Sequence, residues 1–243
     1  MDETQAPAET ALGARTDAPT DAPMGAPADT LARGAKSAPQ RRDPAATWKA
    51  LLDAAVAEFA EFGFEGGRVD RIARQAGVNK QLVYHYFGSK ADLYRTALEE
   101  VYRLIREREQ ELHLSDVDPE EAMRRLVGFS FDYLFEHPEF IALVNDENRM
   151  GARHLTTSEK VTQMHSPLVR LVEETLARGV KAGVFNDRFG PVNLYLSVAA
   201  LSFFYLSNHS TLSVIFDRDM MSPAQAARRR EHVIALVLSA LRP

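Results

Sequence analysis

The chain of 243 residues contains no cysteine. Disulfides, thiolate-bound metals and cysteine nucleophiles are therefore excluded. Residues 1–44 lack the apolar segment of a secretory signal, so we expect a cytoplasmic protein. The most apolar stretch, residues 192–206, has twelve hydrophobic residues in fifteen. It is too short to span a membrane, so no membrane association is expected.

Motifs of the common enzyme classes are also missing. The sequence has no GxSxG nucleophile elbow, no glycine-rich phosphate loop and no HExxH or paired-histidine spacing. Asp146, His154 and His165 carry possible metal-binding atoms, but their spacing matches no known metal motif. We therefore predict that the protein is not an enzyme and needs no metal or cofactor.

What the sequence does contain is helical periodicity from residue 45 onward, without sustained alternation, which predicts an all-α fold. Hydrophobic residues make up 45% of the chain, enough to bury a substantial core. Prolines near several starts help to place the helices. The predicted helices are 45–62, 69–76, 80–87, about 90–111, 119–136, 138–149, 166–182, 191–208 and 223–241, with a short helix left open within 150–163.

Two short helices joined by a glycine-containing turn are the most informative part of the sequence. In the first, over 69–76, apolar residues recur at steps of three and four. The second follows Gly77, begins with Asn79 as its predicted N-cap, and carries Val83 and Phe87 on its inner side. Such a pair forms a helix-turn-helix, in which the second helix enters the DNA major groove.

This helix pair is basic, although the whole chain has a net charge of −5. Between Arg71 and Lys90 four basic residues and no acidic ones give a local charge of +4, which suits DNA phosphates. Gln81 could read adenine and Leu82 a thymine methyl group. A solvated basic helix pair with aromatic core residues is the alternative. The predicted DNA contacts are Arg68, Asn79, Lys80, Gln81, Leu82, Tyr84, His85, Tyr86 and Lys90.

The segment resembles the DNA-binding domain of the TetR family of bacterial transcriptional regulators. The resemblance rests on 51–55 (LLDAA), 59–64 (FAEFGF), 72–73 (IA), 76–78 (AGV), Tyr84, 86–87 (YF), 89–90 (SK) and Leu93. The sequence departs from the family at Gly67, where Thr is common and caps the second helix; we expect Gly67 to cap it weakly. Gln81 and Leu82 also stand where smaller residues are usual.

Three regions are predicted. Composition indicates a disordered Ala/Pro-rich tail over 1–44, and the resemblance implies a helix-turn-helix domain over 45–92 and a helical effector-binding and dimerisation domain over 93–243. Six of the twelve prolines lie in the tail, whose composition cannot bury enough apolar surface to fold. At its end, Arg41 and Arg42 either reach the DNA minor groove or remain solvated charges.

The function implied is that of a repressor that a small organic effector releases from a palindromic operator in double-stranded DNA. In a bacterium it would be cytoplasmic, and associated with the nucleoid when bound to DNA. Three alternatives remain open. They are a helical interaction protein, a DNA-binding regulator that responds to no ligand, and an enzyme on a helical scaffold, for which no motif is present.

Polar and aromatic side chains of the central helices are the candidates for effector contact. They are Phe140, Asn145, Asn148, Arg149, His154, His165, Phe204, Asn208 and His209. For each, a structural role such as a helix cap or ion pair is the alternative. Residues 135–140 and 145–148 also resemble regulators of aromatic catabolism, including nicotinate and pyrimidine pathways. That resemblance implies an aromatic acid, with Arg149, Arg153 or a histidine as the carboxylate partner.

The stretch 192–206 is apolar on nearly all sides, so both faces of its helix must be covered. The last helix carries a second apolar stripe, formed by Val233, Ile234, Val237, Leu238 and Leu241. We predict a homodimer in which these last two helices of each copy form a four-helix seam. A core wholly within one chain is the alternative.

Overall fold

The computed structural model describes residues 43–243, except for five side chains in one helix, those of residues 162, 164–166 and 168. This part of the chain is helical and contains no strand, so the all-α prediction is confirmed. The helices are α1 (Pro44–Gly66), α2 (Val69–Gln75), α3 (Lys80–Phe87), α4 (Lys90–Gln110), α5 (Pro119–Glu136), α6 (Pro138–Arg149), α7 (Glu159–Lys181), α8 (Pro191–Ser207), α9 (His209–Ile215) and α10 (Pro223–Leu241). Two 3₁₀ turns occupy Leu114–Asp116 and Leu155–Thr157.

The predicted bounds of α5, α6 and α10 agree with the structure at both ends. Proline is the first residue of each helix and marks its start. The predicted start of α7 was wrong. Pro167 lies inside α7 rather than at its first position, and the helix begins at Glu159 after the cap Ser158. The short helix α9 was not predicted.

The predicted tail over 1–44 and the groove contact of Arg41 and Arg42 lie outside the described residues, apart from the last two positions of the tail. At these two positions the structure shows the start of α1. The Asp43 side chain accepts a hydrogen bond from the Ala45 N–H at 3.1 Å, and Pro44 is the first residue of α1. The first helix therefore begins slightly earlier than its apolar pattern indicates.

Buried side chains form two cores. The first joins α1–α4 to α5, α6 and the end of α8, with Phe59, Tyr94 and Leu143 fully buried within it. The second lies among α5, α7, α8 and α10. Full burial of one large apolar side chain contributes roughly 1.5–3 kcal/mol. The helix-turn-helix is thus packed against the central helices through a shared core.

The apolar stripe of α10 does not form an exposed seam, so this part of the dimer prediction was wrong. Its residues pack inside the chain, and none is more than 5% exposed: Val233, Ile234, Val237, Leu238 and Leu241. The pattern shows that a face is buried, but not whether its partner belongs to the same chain. On the two helices of the predicted seam, the exposed apolar residues include a row on α8, formed by Val192, Leu196, Ala200 and Phe204, and Leu236 on α10.

Within residues 43–243, no helix alone is long and apolar enough to cross a membrane. The consecutive helices α8 and α9 reach the necessary length and apolarity only together. The chain bends by 68° between them.

Candidate DNA-binding surface and effector region

Helix α3 is held in place from its inner side. Val83 and Phe87 are 2% and 8% exposed, and Trp48 of α1 stacks on Phe87 with ring centroids 5.9 Å apart. In the turn before α3, the Val78 N–H donates to the Ala73 carbonyl at 2.9 Å. These contacts fix the rotation of α3 and thereby the side chains that it presents outward.

The outward face of α3 carries Gln81, Leu82, Tyr84 and His85, all of which are exposed. Asn79 caps the helix as predicted, since its side chain accepts from the Gln81 N–H at 2.9 Å. Tyr86, another predicted DNA contact, is half-buried and packs against the first core. The part of α3 most accessible to a DNA groove is therefore its first turn and a half.

Part of the positive charge of this segment is already paired. The Lys80 ammonium lies 2.8 Å from the Asp70 carboxylate, and this hydrogen bond lowers the pKa of Asp70. Arg71 pairs with Glu58 at 2.6 Å. The local field is therefore weaker than the +4 counted over residues 71–90. Because the Lys80–Asp70 pair is exposed, opening it to a phosphate costs little.

Lys90 connects α4 to the end of α1. Its ammonium donates to the Glu65 carbonyl at 3.4 Å and lies 4.8 Å from the centroid of the Phe64 ring. Ser89 caps α4 as predicted, accepting from the Asp92 N–H at 3.0 Å. Replacing Lys90 would therefore alter this junction as well as any phosphate contact.

Sequence reasoning missed Glu58, a buried carboxylate that positions α2. It is 4% exposed, and it accepts from the Arg68 N–H at 2.7 Å and from the Arg71 guanidinium. Arg71 also donates to the Gly66 carbonyl at 2.9 Å. The signal in the sequence was an acidic residue on the otherwise apolar face of α1, beside Ala54 and Ala55. Glu58 thus holds the start of α2 against α1, and α2 in turn supports α3.

The departure from the family pattern at Gly67 has a steric reason. A Cβ atom on Gly67 would lie 2.6 Å from the buried Phe59 ring, so a larger residue does not fit this backbone. The N-cap of α2 is Arg68, not Gly67, and its side chain makes no capping bond. The expectation that Gly67 caps α2 was therefore wrong.

Asp146 on α6 binds the end of α1. Its carboxylate accepts from the Phe64 N–H at 2.6 Å, from the Tyr94 hydroxyl of α4 at 3.0 Å and from Arg149. Burial, and then the nearby Asp146 charge, raise the pKa of Tyr94 well above its usual value. One side chain of α6 therefore contacts both the helix that enters the helix-turn-helix and the helix that leaves it.

The neighbouring Glu147 organises the loop after α6. It is 1% exposed and accepts from the His154 N–H at 2.7 Å, the Leu155 N–H at 3.0 Å and the His154 ring at 2.8 Å. The His154 ring packs against Phe64 and Tyr94, with centroids 4.6 and 4.8 Å away. His154, predicted to contact an effector, thus lies at the α1–α6 junction.

Two predicted effector residues come together in one cleft. Asn145 and His209 line a cleft of about 250 Å³ between α5, α6, α8 and α9, with Ser207 and otherwise apolar side chains. Among the described residues that line it, none is an arginine or a lysine. This environment suits an uncharged ring with one or two polar substituents.

The other effector candidates lie elsewhere. Phe140 is buried against Tyr102, and Phe204 is exposed on the outer row of α8. The Asn208 amide donates to the Phe204 carbonyl at 2.9 Å, so it acts as a cap. Asn148 is exposed. Arg149 pairs with Asp146 and Arg153 with Glu65, whereas the side chain of His165 lies outside the described residues.

An all-helical chain with a basic helix-turn-helix on a larger helical body is characteristic of DNA-binding transcriptional regulators. Residues 51–97 match the family described as "Bacterial regulatory proteins, tetR family", and residues 119–237 match "Tetracyclin repressor-like, C-terminal domain". With the relatives below, these matches show that the chain belongs to the TetR family of transcriptional regulators.

Among curated proteins, the chain is 34% identical to the HTH-type transcriptional repressor NicS of Pseudomonas putida over 192 residues, which cover 79% of this chain and 91% of NicS. It is 36% identical to the HTH-type transcriptional repressor SCO4008 of Streptomyces coelicolor, over 65% of this chain and 78% of that protein. The crystal structure of the putative regulator SCO4942 from Streptomyces coelicolor superposes with a TM-score of 0.60 at 23% identity, covering 81% of this chain and 99% of that one. At that identity the superposition shows the fold alone.

Proposed function

We propose that this protein is a dimeric cytoplasmic repressor that binds a palindromic operator and is released by a small organic effector. The observation that carries the proposal is the exposed face of α3, which the buried Val83 and Phe87 hold in a fixed rotation. Residues 45–92 would form the DNA-binding domain and residues 93–243 the effector-binding and dimerisation domain.

On the operator, Gln81 and Leu82 would reach base edges from the start of α3. Tyr84 and His85, farther along the same face, would contact bases or sugar-phosphate. Lys80 would exchange its contact with Asp70 for a phosphate. This docking assigns sequence preference to the first turn of α3 and positioning to its basic neighbours.

We propose that the dimer forms through the exposed row of α8, with Leu236 of α10 at its side. Val192, Leu196 and Phe204 are 51%, 55% and 60% exposed, which is unusual for such large apolar residues lying at multiples of four on one helix. A second copy related by a two-fold axis would cover this row with the same row. The two α3 helices would then read half-sites about one DNA turn, roughly 34 to 36 Å, apart or somewhat farther.

For induction, we propose that effector binding moves α6. Asn145 lines the cleft described above, and the next residue, Asp146, holds α1 and α4. An effector that binds better when α6 is displaced would weaken these bonds and change the spacing of the two α3 helices. Ordinary coupling of about 1–3 kcal/mol would be sufficient.

The Tyr84→Ala variant tests the assignment of the DNA-binding face. Loss of one DNA contact is expected to weaken operator binding by about 1 to 3 kcal/mol, or roughly five- to 150-fold. Tyr84 is 44% exposed and Leu104 on α4 is 39% exposed, so Leu104→Ala is a matched control expected to bind normally. The operator is first located by footprinting upstream of the protein's own gene, and affinities are then measured by gel shift. Unchanged affinity of the Tyr84 variant, with dimerisation intact by sedimentation, would contradict the assignment.

A further inference from the structure

The interior of the helical body contains an ion pair that the proposed DNA-binding function does not use. Arg106 and Glu109, one turn apart on α4, are 7% and 5% exposed, and the Arg106 Nη1 donates to the Glu109 carboxylate. Removing two charges from water usually costs about as much as their attraction returns. A buried pair of this kind is therefore weak evidence of a stabilising role, and its unpaired atoms require an explanation.

The unpaired atom is Nε of Arg106. It is fully buried and has no hydrogen-bond partner, whereas Nη2 donates to the Tyr195 hydroxyl of α8 at 3.1 Å. Nε and Nη2 form the edge of a guanidinium that binds a carboxylate with two parallel hydrogen bonds. Glu109 accepts from Nη1 instead. On the Nε–Nη2 edge, which suits a second carboxylate, only Nη2 has an acceptor.

One aromatic side chain contacts this guanidinium, and another lies one turn earlier on the same helix. The central carbon of the guanidinium lies 5.8 Å from the centroid of the Tyr195 ring. Tyr102, one turn earlier on α4, packs edge-on against Phe140 with centroids 5.3 Å apart. A ligand that carries both a carboxylate and an aromatic ring could therefore pair with the guanidinium edge and pack on the neighbouring aromatic side chains.

We propose that Arg106 binds the carboxylate of an aromatic acid through Nε and Nη2, with Tyr195 beside it and Tyr102 and Phe140 facing the ring. The proposal rests on the proposed effector response. It places the effector beside Phe140 of α6 rather than in the cleft at Asn145 and His209, and α6 remains the helix that moves. Arg149 and Arg153 are poorer partners for an acid, because both are mostly exposed and already paired with Asp146 and Glu65. The cleft at Asn145 and His209 has no described arginine or lysine.

Glu109 adjusts the charge of the proposed site. Burial raises its pKa to about 7, although Arg106 lowers it. A ligand carboxylate adds a second negative charge, so Glu109 takes up a proton when the ligand binds. Burial raises the pKa values of the neighbouring Tyr102 of α4 and Tyr133 of α5, so neither ionises near pH 7. The charges of Arg108, Glu139 and Glu147 also act on these two tyrosines. Binding should therefore weaken as pH rises through 7, by about tenfold between pH 6 and pH 8.

The test uses benzoate and benzamide as probes, because they share a ring and differ in charge. Binding to the full-length protein is measured by calorimetry. In the double variant Arg106→Met with Glu109→Gln, which leaves no unpaired buried charge, benzoate affinity should fall about tenfold or more. The control is Arg108→Met with Glu111→Gln. It removes an Arg–Glu pair of the same spacing on α4 whose side chains are 64% and 62% exposed, and it should bind benzoate as the wild type does.

The expected result is that wild-type protein binds benzoate more tightly than benzamide, more tightly at pH 6 than at pH 8, and about tenfold or more tightly than the double variant does. Equal or absent binding of the two probes by the wild type would overturn the proposal. So would a double variant that binds benzoate normally.

Gel shifts on the same preparations separate this proposal from the proposed function. If the wild type binds its operator but benzoate does not bind, only the carboxylate site fails. If benzoate binds as expected but no operator is found, the site stands and the repressor assignment fails.

Discussion

Replacing Glu58 by alanine is expected to lower the free energy of unfolding by about 2 to 3 kcal/mol and to weaken operator binding strongly. The carboxylate accepts from the Arg68 N–H and the Arg71 guanidinium at the start of α2. Alanine leaves that N–H without its acceptor and creates a void beside α2. Because α2 supports α3, the DNA-reading face should lose its fixed orientation. Urea unfolding followed by circular dichroism gives the stability, and gel shift gives the affinity.

The control for this prediction lies on the same helix. Asp53 accepts from Lys49 at 2.8 Å, but both side chains are more than half exposed. Exposed pairs contribute about 0 to 1 kcal/mol, so Asp53→Ala should change the stability little. If the two variants unfold at the same urea concentration, Glu58 does not fasten α2, and the orientation of α3 depends on apolar packing alone.

The orientation of α3 could be predicted from sequence because it depends on neighbouring residues. Val83 and Phe87 lie four residues apart in the sequence. The Asn79 side chain caps the helix by accepting a hydrogen bond from the Gln81 N–H, two residues later. Each relation lies within one or two turns, where helical periodicity determines which side chains share a face. The predicted roles of Val83, Phe87 and Asn79 in the fold are confirmed, whereas the DNA contacts remain predictions.

Other features depend on residues distant in the sequence. Asp146 contacts the Phe64 N–H across 82 positions, and nothing near Asp146 indicates that partner. In the same way, the apolar stripe of α10 predicted burial correctly but not what buries it. The sequence did not indicate that Arg106 is buried, because one arginine on a helix with many charged residues is expected to face solvent. Its contacts include the Tyr195 hydroxyl of α8, 89 positions away, which periodicity does not specify.

The shared core bears on the regulatory role proposed for the α1–α6 junction. A helix-turn-helix joined to the rest of the chain only through α4 would respond only to the tilt of that helix. Here Asp146 of α6 accepts hydrogen bonds from the end of α1 and from α4. Movement of α6 would therefore act on the helix-turn-helix through both of these helices. This junction should therefore be sensitive to small changes of backbone geometry.

Gly63→Ala is expected to lower the free energy of unfolding by about 3 to 4 kcal/mol. Gly63 has φ 66° and ψ 179° at the break in α1, a conformation that is almost restricted to glycine and costs other residues about 1 to 3 kcal/mol. A Cβ atom there would also lie 2.8 Å from the Asp146 carboxylate and push it away from the Phe64 N–H, which adds about 1 to 2 kcal/mol.

Gly151→Ala shows the effect of an alanine at positive φ without a clash. Gly151 has φ 71° but no atom within 4 Å of an added Cβ, so its variant should lose only about 1 kcal/mol through backbone strain. Asp146→Ala gives a second comparison. If the clash with Asp146 contributes as argued, the double variant of Gly63 and Asp146 should be more stable than the sum of the single losses indicates. Urea unfolding of the four variants measures all these differences. A Gly63 variant no less stable than the Gly151 variant would mean that the contact with Asp146 does not stabilise the end of α1.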